Sequence, residues 1–543
     1  MQELARIWLI TPFGPASIDA EVPEGGVVIQ LASEGIVVRG ADVDGCEQIL
    51  TPDALRFVAE LHRCFEPKRR DLMAQRAAVQ AIMDAGGRPG FLDETRETRE
   101  GDWSVAPLPD DLRERRVECV GSVDRRAIMD GLNSAANVYI ANFDDATAPT
   151  WETLIRGQAF LRQAVRGTIT HEASDGRRME MAPVVATLMV QPRSWHAIES
   201  RVTIDDQAVS AALFDAGLYL YHNAEHLHAR QSGAYFSLGK LESRHEAKLW
   251  NEVFLYAQHQ LDLPAGTARA TVVVDTVSGA FEVEEMLFEL RDHAVGLACD
   301  RWNYLFSILK TFQSRPECLL PDVGLVTMER HFLHKYAQLV IAVAHRRGVP
   351  AIGVPAMQVP IPSDTIANRV AMARVMADKS REAELGFDGS RVGHPDLVQL
   401  ARGPFDALWS LPTSLPKPTE ARPSAKDLLT VPEGPITEAG LRHHVTVALR
   451  YLESWLRGKG TVPVRHDLAD RAVVEVARAQ LWHWLHRGAV LDDGRPVTEK
   501  LYSATVDYEM GSIRRALGDE EWARGEFGRA RDLLDALVIT PTL

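Results

Sequence analysis

The feature that most constrains this chain is a change of texture after Arg116. Short, largely apolar runs recur from there: Val117 to Val120, Val138 to Phe143, Pro183 to Val190, Ala234 to Leu238 and Ala270 to Val274. Longer amphipathic segments separate them, among them Phe214 to His228 and Glu284 to His293. A strand that is apolar on both faces must be covered on both faces. Strands of this kind therefore belong to parallel sheets whose crossovers are helices, in an α/β sheet or barrel. Asp144, Asp145, Gln191, Lys240, Glu242 and Asp275 fall just past the ends of these runs. In a (β/α)₈ barrel that place is the catalytic face, although doubly wound sheets also put ligands at strand ends.

The flanks read differently. Gly25 to Ile29 and Gly35 to Val38 are glycine-bounded apolar runs that predict short strands. Thr51-Pro52-Asp53 carries a capping hydroxyl, a proline for the first helical turn and an early acid, and Leu55, Phe57, Val58, Leu61 and Phe65 follow at helical spacing. Gly86-Gly87-Arg88-Pro89-Gly90 ends that helix. Residues 1–115 thus form an N-terminal strand and helix clasp, and 116–410 the barrel. The proline-rich segment 411–435 is a linker, and 436–543 a helical domain that plugs the barrel. Helices are expected there over 438–455, 470–486, 499–517 and 520–537.

Composition narrows the function classes. The chain of 543 residues has a formal charge of −15, which argues against nucleic acid as a partner. No apolar run reaches membrane-spanning length, and Met1 to Ile10 lacks the basic start and apolar core of a secretory signal. A cytoplasmic protein acting on a small-molecule substrate, as monomer or small homo-oligomer, is the expectation. Cys46, Cys64, Cys119, Cys299 and Cys318 include no Cys-x-x-Cys pair and read as reduced thiols. His222, His226 and His228 read as part of a solvated helix flanking the barrel, since zinc sites want a further ligand of matching geometry.

The stretch from Arg291 to Phe306, Arg-Asp-His-Ala-Val-Gly-Leu-Ala-Cys-Asp-Arg-Trp-Asn-Tyr-Leu-Phe, resembles the signature segment of malate synthases. That segment reads roughly Arg-Asp-His-x-x-Gly-Leu-Asn-x-Gly-x-Trp-Asp-Tyr-x-Phe. Further matches are Ile49 to Leu55, Phe143-Asp144-Asp145-Ala146 with Pro149-Thr150-Trp151, Lys240 to Ser243, Ala377-Asp378-Lys379 with Gly386 to Gly389, and Trp482 to His486. In order along nearly the whole chain, they identify it as a member of the shorter, isoform A branch. The resemblance implies a TIM barrel and condensation of acetyl-CoA with glyoxylate. It also implies a carboxylate base, Mg²⁺ held by a glutamate and an aspartate, and an arginine facing the enolate oxygen.

Carried over by position, the resemblance makes Asp470 the base. Gln191 stands where the family has its arginine, while Arg193 matches a second family arginine. Asp275 replaces the glutamate ligand of the metal and Asn303 the aspartate ligand. Behind them Asn142 and Asp144 stand where Asp and Glu are usual, followed by Asp145. Gly296, Leu297 and Trp302 belong to the substrate-binding segment. Gly353-Val354-Pro355-Ala356 and Ser390-Arg391 alter the acyl-CoA side, where the family has a Gly-Gly turn and Thr-Trp.

Asp for Glu shortens a metal-binding arm by about one methylene, and Asn for Asp removes a charge, against an ion that wants oxygens at about 2.0–2.1 Å. Loss of a donor to a developing oxyanion costs on the order of 10²–10³ in rate. These magnitudes predict weakened Mg²⁺ dependence and rank three readings. The first is an enzyme of related carbon–carbon or acyl-thioester chemistry on a changed substrate, with Asp470 as base. An authentic malate synthase comes second. A non-catalytic paralogue that binds a metabolite or protein, with its pocket blocked by side chains, comes third.

Overall fold

The computed structural model describes residues 26–172, 176, 178–361, 364–409 and 422–543. Met1 to Ile10 and the linker positions 411–421 lie outside them. Eight parallel strands close a barrel: β1 Val117–Gly121, β2 Val138–Asn142, β3 Thr187–Gln191, β4 Ala234–Leu238, β5 Ala268–Val274, β6 Ala294–Cys299, β7 Ala351–Ala356 and β8 Gly389–Val392. They follow one another in order around the circle, β8 pairing with β1. The apolar residues that alternate along them face the surrounding helices or one another, and the main hydrophobic core is continuous through this wall.

Two sequence expectations shift. The run from Pro183 becomes a strand only at Thr187, because Pro183 has no N–H to donate and Val184 is 88% exposed. Gly353-Val354-Pro355-Ala356, expected as a loop, is part of β7, with a register break beside Pro355.

Among the described residues, the strands and the helix expected before residue 86 form. Helix α1, Pro52–Asp84, starts where the Thr51 hydroxyl accepts the Ala54 N–H. A four-stranded antiparallel sheet pairs Gly26–Leu31 and Ile36–Ala41 with Ile198–Ile204 and Gln207–Ser210, residues inserted after β3. Clasp and barrel therefore share a sheet.

The C-terminal helices include α3, Glu438–Leu456, and α4, Arg471–His486, packed on each other. The expected helix 520–537 is two helices, Asp519–Arg524 and Phe527–Ile539, broken at Gly525, where a Cβ would lie 2.9 Å from the Phe527 ring. α4 lies along α2, Arg301–Thr311, which leaves the barrel after β6. His483 on α4 bonds the Leu309 carbonyl at 2.9 Å, and Arg478 lies over the Phe306 ring. Backbone bonds latch the loop before α4 to the barrel: Leu468 N–H to Met357 O at 2.6 Å, Val359 N–H to His466 O at 2.9 Å and Arg471 N–H to Asp145 O at 3.1 Å.

Candidate active site

At the C-terminal ends of the strands lies a cavity of about 300 Å³. The latch swings Asp470 over it from the C-terminal domain. Asp470 caps α4, its carboxylate accepting the Val473 N–H at 3.1 Å. Burial first, then the charges of Asp145 and Asp300, push this carboxyl well above the usual carboxylate range. The barrel contributes Asn142, Asp145, Gln191, Asp275, Asp300, Asn303 and Arg391 to the same lining. It is open rather than filled by side chains.

Asn142 and Gln191 end their strands, Asp145, Asp275 and Asp300 follow strand ends, Arg391 lies within β8, and Asn303 stands in the first turn of α2. Asn142 and Gln191 are paired across β2 and β3. The Asn142 side-chain oxygen accepts the N–H groups of Asp144 and Asp145 and so shapes the turn that carries both acids. The Lys240 ammonium bridges those acids, 2.7 Å from Asp144 and 2.6 Å from Asp145. Burial alone raises the proton affinity of Asp144, but Lys240 and then Arg471 overrule it and the carboxyl ends well below its ordinary range. Asn303 donates its amide to the other Asp145 oxygen at 3.0 Å.

Asp275 accepts the backbone N–H of Lys240 at 2.7 Å. Gly239 keeps the space beside it open: a Cβ there would sit 3.1 Å from an Asp275 oxygen and 3.5 Å from the Gln191 amide nitrogen. Burial, then the neighbouring Asp300 charge, raise the Asp275 carboxyl well above its ordinary range. Asp300 is raised by burial and by Asp145, and lowered in part by Arg391.

Several residues named from the sequence lie elsewhere. Arg193 is not free to stand in for the missing arginine. It is buried and spent on Asp215 at 2.8 Å and Glu199 at 2.9 Å, and it does not line the cavity. Gly296 and Leu297 sit inside β6 and line neither cavity; Gly296 makes room for Arg115, whose guanidinium would meet a Cβ at 2.7 Å. Asp144 lies behind the wall, held by Lys240 and Ser194. Cys299 is fully buried with its thiol pushed far up by burial, an unreactive core residue. His222 is held by the Ile49 carbonyl at 2.8 Å.

Sequence reasoning left out Asp300 as a site residue and gave Arg391 only as part of the altered acyl-CoA side. Arg391 points inward from β8, its Nε 2.9 Å from Glu118, and is the buried cation among the residues lining the inner cavity. Glu118 is also paired with Arg115, so two buried guanidinium groups share one carboxylate and a positive charge is left over beneath the acids. Trp302 lines a second, larger cleft of about 910 Å³ between barrel and C-terminal domain. Arg301 stacks 4.3 Å over its ring. The two spaces share Pro355, Met357 and Leu468.

The donor chemistry fits a divalent cation. Asp275, buried, and Asp300, half-buried, are hard oxygen donors whose charges repel, and a dication between them would relieve that repulsion. Among the described residues no three His, Cys, Asp or Glu side chains converge to cage a metal by themselves. Mg²⁺ does not ask for that, since it is held by one or two carboxylates and completed by substrate and water.

A closed parallel barrel with an acid-lined cavity at its C-terminal mouth, roofed by a helical domain, defines a TIM-barrel enzyme. The chain matches the family models for the malate synthase N-terminal domain over residues 34–97, the TIM barrel domain over 187–431 and the C-terminal domain over 435–543. It is 46% identical over 509 residues to malate synthase of Myxococcus xanthus, covering 94% of each chain. It is 44% identical over 513 residues to the Streptomyces clavuligerus enzyme, covering 92% of this chain and 95% of that one. Against malate synthase A of Escherichia coli it is 39% identical over 500 residues, covering 92% and 94%. The chain belongs to the malate synthase family.

Proposed function

We propose that the protein is an authentic malate synthase, joining acetyl-CoA and glyoxylate with water to give malate and free CoA. This reverses the order of the sequence-based readings, which put a changed substrate first and doubted Mg²⁺. Relatives named malate synthase at 39–46% identity over nearly the full chain favour the established reaction. The observation that carries the proposal is the placement of Asp470, half-buried and raised in proton affinity, over an open cavity.

The residues divide the work as follows. Asp470 takes a proton from the acetyl methyl group, and its raised pKa makes it a stronger base than a free carboxylate. The thioester oxygen gains negative charge as that proton leaves, and Arg391 supplies the guanidinium facing it where Gln191 has no charge. Mg²⁺, when bound near Asp275, supplies polarisation of the glyoxylate aldehyde. The methyl carbon then adds to the aldehyde carbon, and water cleaves the thioester, releasing malate and the thiol. The larger cleft, with Trp302 and Arg301 on its wall, takes the body of coenzyme A. A cytoplasmic setting belongs to the same proposal.

The test is direct. Purified protein given acetyl-CoA, glyoxylate and Mg²⁺ is expected to release free thiol and malate in equal amounts. Thiol release no faster than without glyoxylate sinks the proposal.

A further inference from the structure

Asp275 and Asp300 occupy equivalent places on neighbouring strands. β5 and β6 are in parallel register with Val274 opposite Cys299, so the next residues, Asp275 and Asp300, stand side by side where the strands end. Parallel strands run about 4.8 Å apart, a spacing at which two carboxylates can share one ion. A third residue fixes that alignment. The Tyr336 hydroxyl, fully buried, donates to the Val274 carbonyl and accepts the Asp300 N–H at 3.1 Å. It thereby clips together the backbone just before one acid and at the other. Tyr336 is in turn stacked on Tyr304 of α2, with ring centroids 4.1 Å apart.

The other candidate ligands are engaged. Asp144 and Asp145 share the Lys240 ammonium, and Asn303 turns its amide to Asp145. Asp300 does cap α2, accepting the Asn303 N–H at 3.0 Å. A helix cap needs only an oxygen, and serine or asparagine serves as well as aspartate. The cap thus leaves the negative charge at position 300 unexplained, beside the buried Asp275 carboxylate that it repels.

We propose that Asp300, together with Asp275, binds the divalent cation in this protein, with Tyr336 setting their alignment. Asn303 then has a packing role. The inference rests on the malate synthase reading for the identity of the ion, and it moves the second metal carboxylate three residues toward the strand from where the family carries it.

Mn²⁺ binding, followed through the spectrum of the free ion with Mg²⁺ as competitor, tests this without turnover. Asp300→Asn and Asp300→Ser keep the cap and remove the charge. Each is expected to weaken Mn²⁺ by at least ~10-fold, Tyr336→Phe by a smaller factor, and Asn303→Ala by less than ~3-fold, in line with the range seen when metal-site partners are removed. Affinity within ~3-fold of the parent in both Asp300 variants overturns the inference, and so does a parent protein that binds no Mn²⁺ at millimolar concentration. Thiol release separates the two claims. Metal-dependent turnover with Asp300 irrelevant to Mn²⁺ defeats the inference alone, whereas Mn²⁺ bound through Asp300 without turnover defeats the assignment of function alone.

Discussion

Arg347 and Asp275 are each only 1% exposed, yet their surroundings differ in kind. Arg347 meets Glu284 at 2.7 Å, donates to the carbonyls of Arg99, Gly101 and Trp103, and lies 4.1 Å over the Trp103 ring. Arg76 of α1 meets Glu246 with two contacts of 2.6 Å, and Arg99 is paired with Glu285. Around the barrel's outer wall, then, each of these buried charges has an opposite charge in direct contact. At the mouth, the Asp145 charge raises the proton affinities of Asp275, Asp300 and Asp470, and the Asp300 charge adds to those of Asp275 and Asp470. A fold tolerates unmatched buried charge only where the rest of the structure overdetermines it, and such places are where chemistry is done. The wall holds the clasp to the barrel; the mouth keeps its charges unbalanced for a ligand.

The contrast is broken most severely at the wall. Arg76→Met removes the partner of the buried Glu246 and is expected to cost about 3–5 kcal/mol, seen as lost soluble yield or a collapsed melting temperature. At the mouth the large losses are catalytic. Asp470→Asn keeps the helix cap and is expected to lower kcat by about 10²–10⁴ with the fold intact by circular dichroism. Arg391→Gln should lower kcat by about 10²–10³, with partial recovery in Arg391→Lys, and should leave Mn²⁺ affinity unchanged. An Arg391→Gln enzyme with normal kcat would confine Arg391 to packing with Glu118.

Much of this was legible in the sequence because the signals are local. The Thr51-Pro52-Asp53 start and the apolar runs of β1, β2 and β4 each state their own structure. The strands that went unread are β6, β7 and β8. Their sequences, Ala-Val-Gly-Leu-Ala-Cys, Ala-Ile-Gly-Val-Pro-Ala and Gly-Ser-Arg-Val, are small, interrupted or polar. The reasons are tertiary. A Cβ on Gly353 would strike the Glu382 carboxylate, and one on Gly389 the Arg115 carbonyl. The site shows the same limit. Position-by-position comparison found Asp275 and Asp470, and it counted charges lost at 191 and 303. It did not see that Asp300 and Arg391 lie in the same cavity, because only the barrel's closure brings β8 to face β3 and β4.

A smaller effect sharpens the contrast through pH. Asp470 acts as base only when ionised, and burial with Asp145 and Asp300 raises its pKa. The catalytic fraction falls as pH drops through that raised value. The acid limb of kcat/KM, measured at saturating metal, should therefore lie clearly above ~4, the ordinary aspartate value. A limb at or below ~4 would mean that the surrounding acids do not act on the base.

The smallest effect has the opposite sign from the wall's. A carboxyl whose pKa is raised by folding stabilises the protein below its unfolded pKa, and that stability is lost as pH rises through the folded value. Near neutral pH and without metal, the Asp275 carboxylate is therefore a cost. Asp275→Asn keeps an oxygen for the Lys240 N–H and removes the charge. It is expected to raise the melting temperature of the metal-free protein by about 1–3 °C. Added Mg²⁺ should stabilise the parent and not the variant, because only the parent keeps the tight site. A metal-free variant that melts lower than the parent would show that Asp275 belongs with the matched charges of the wall.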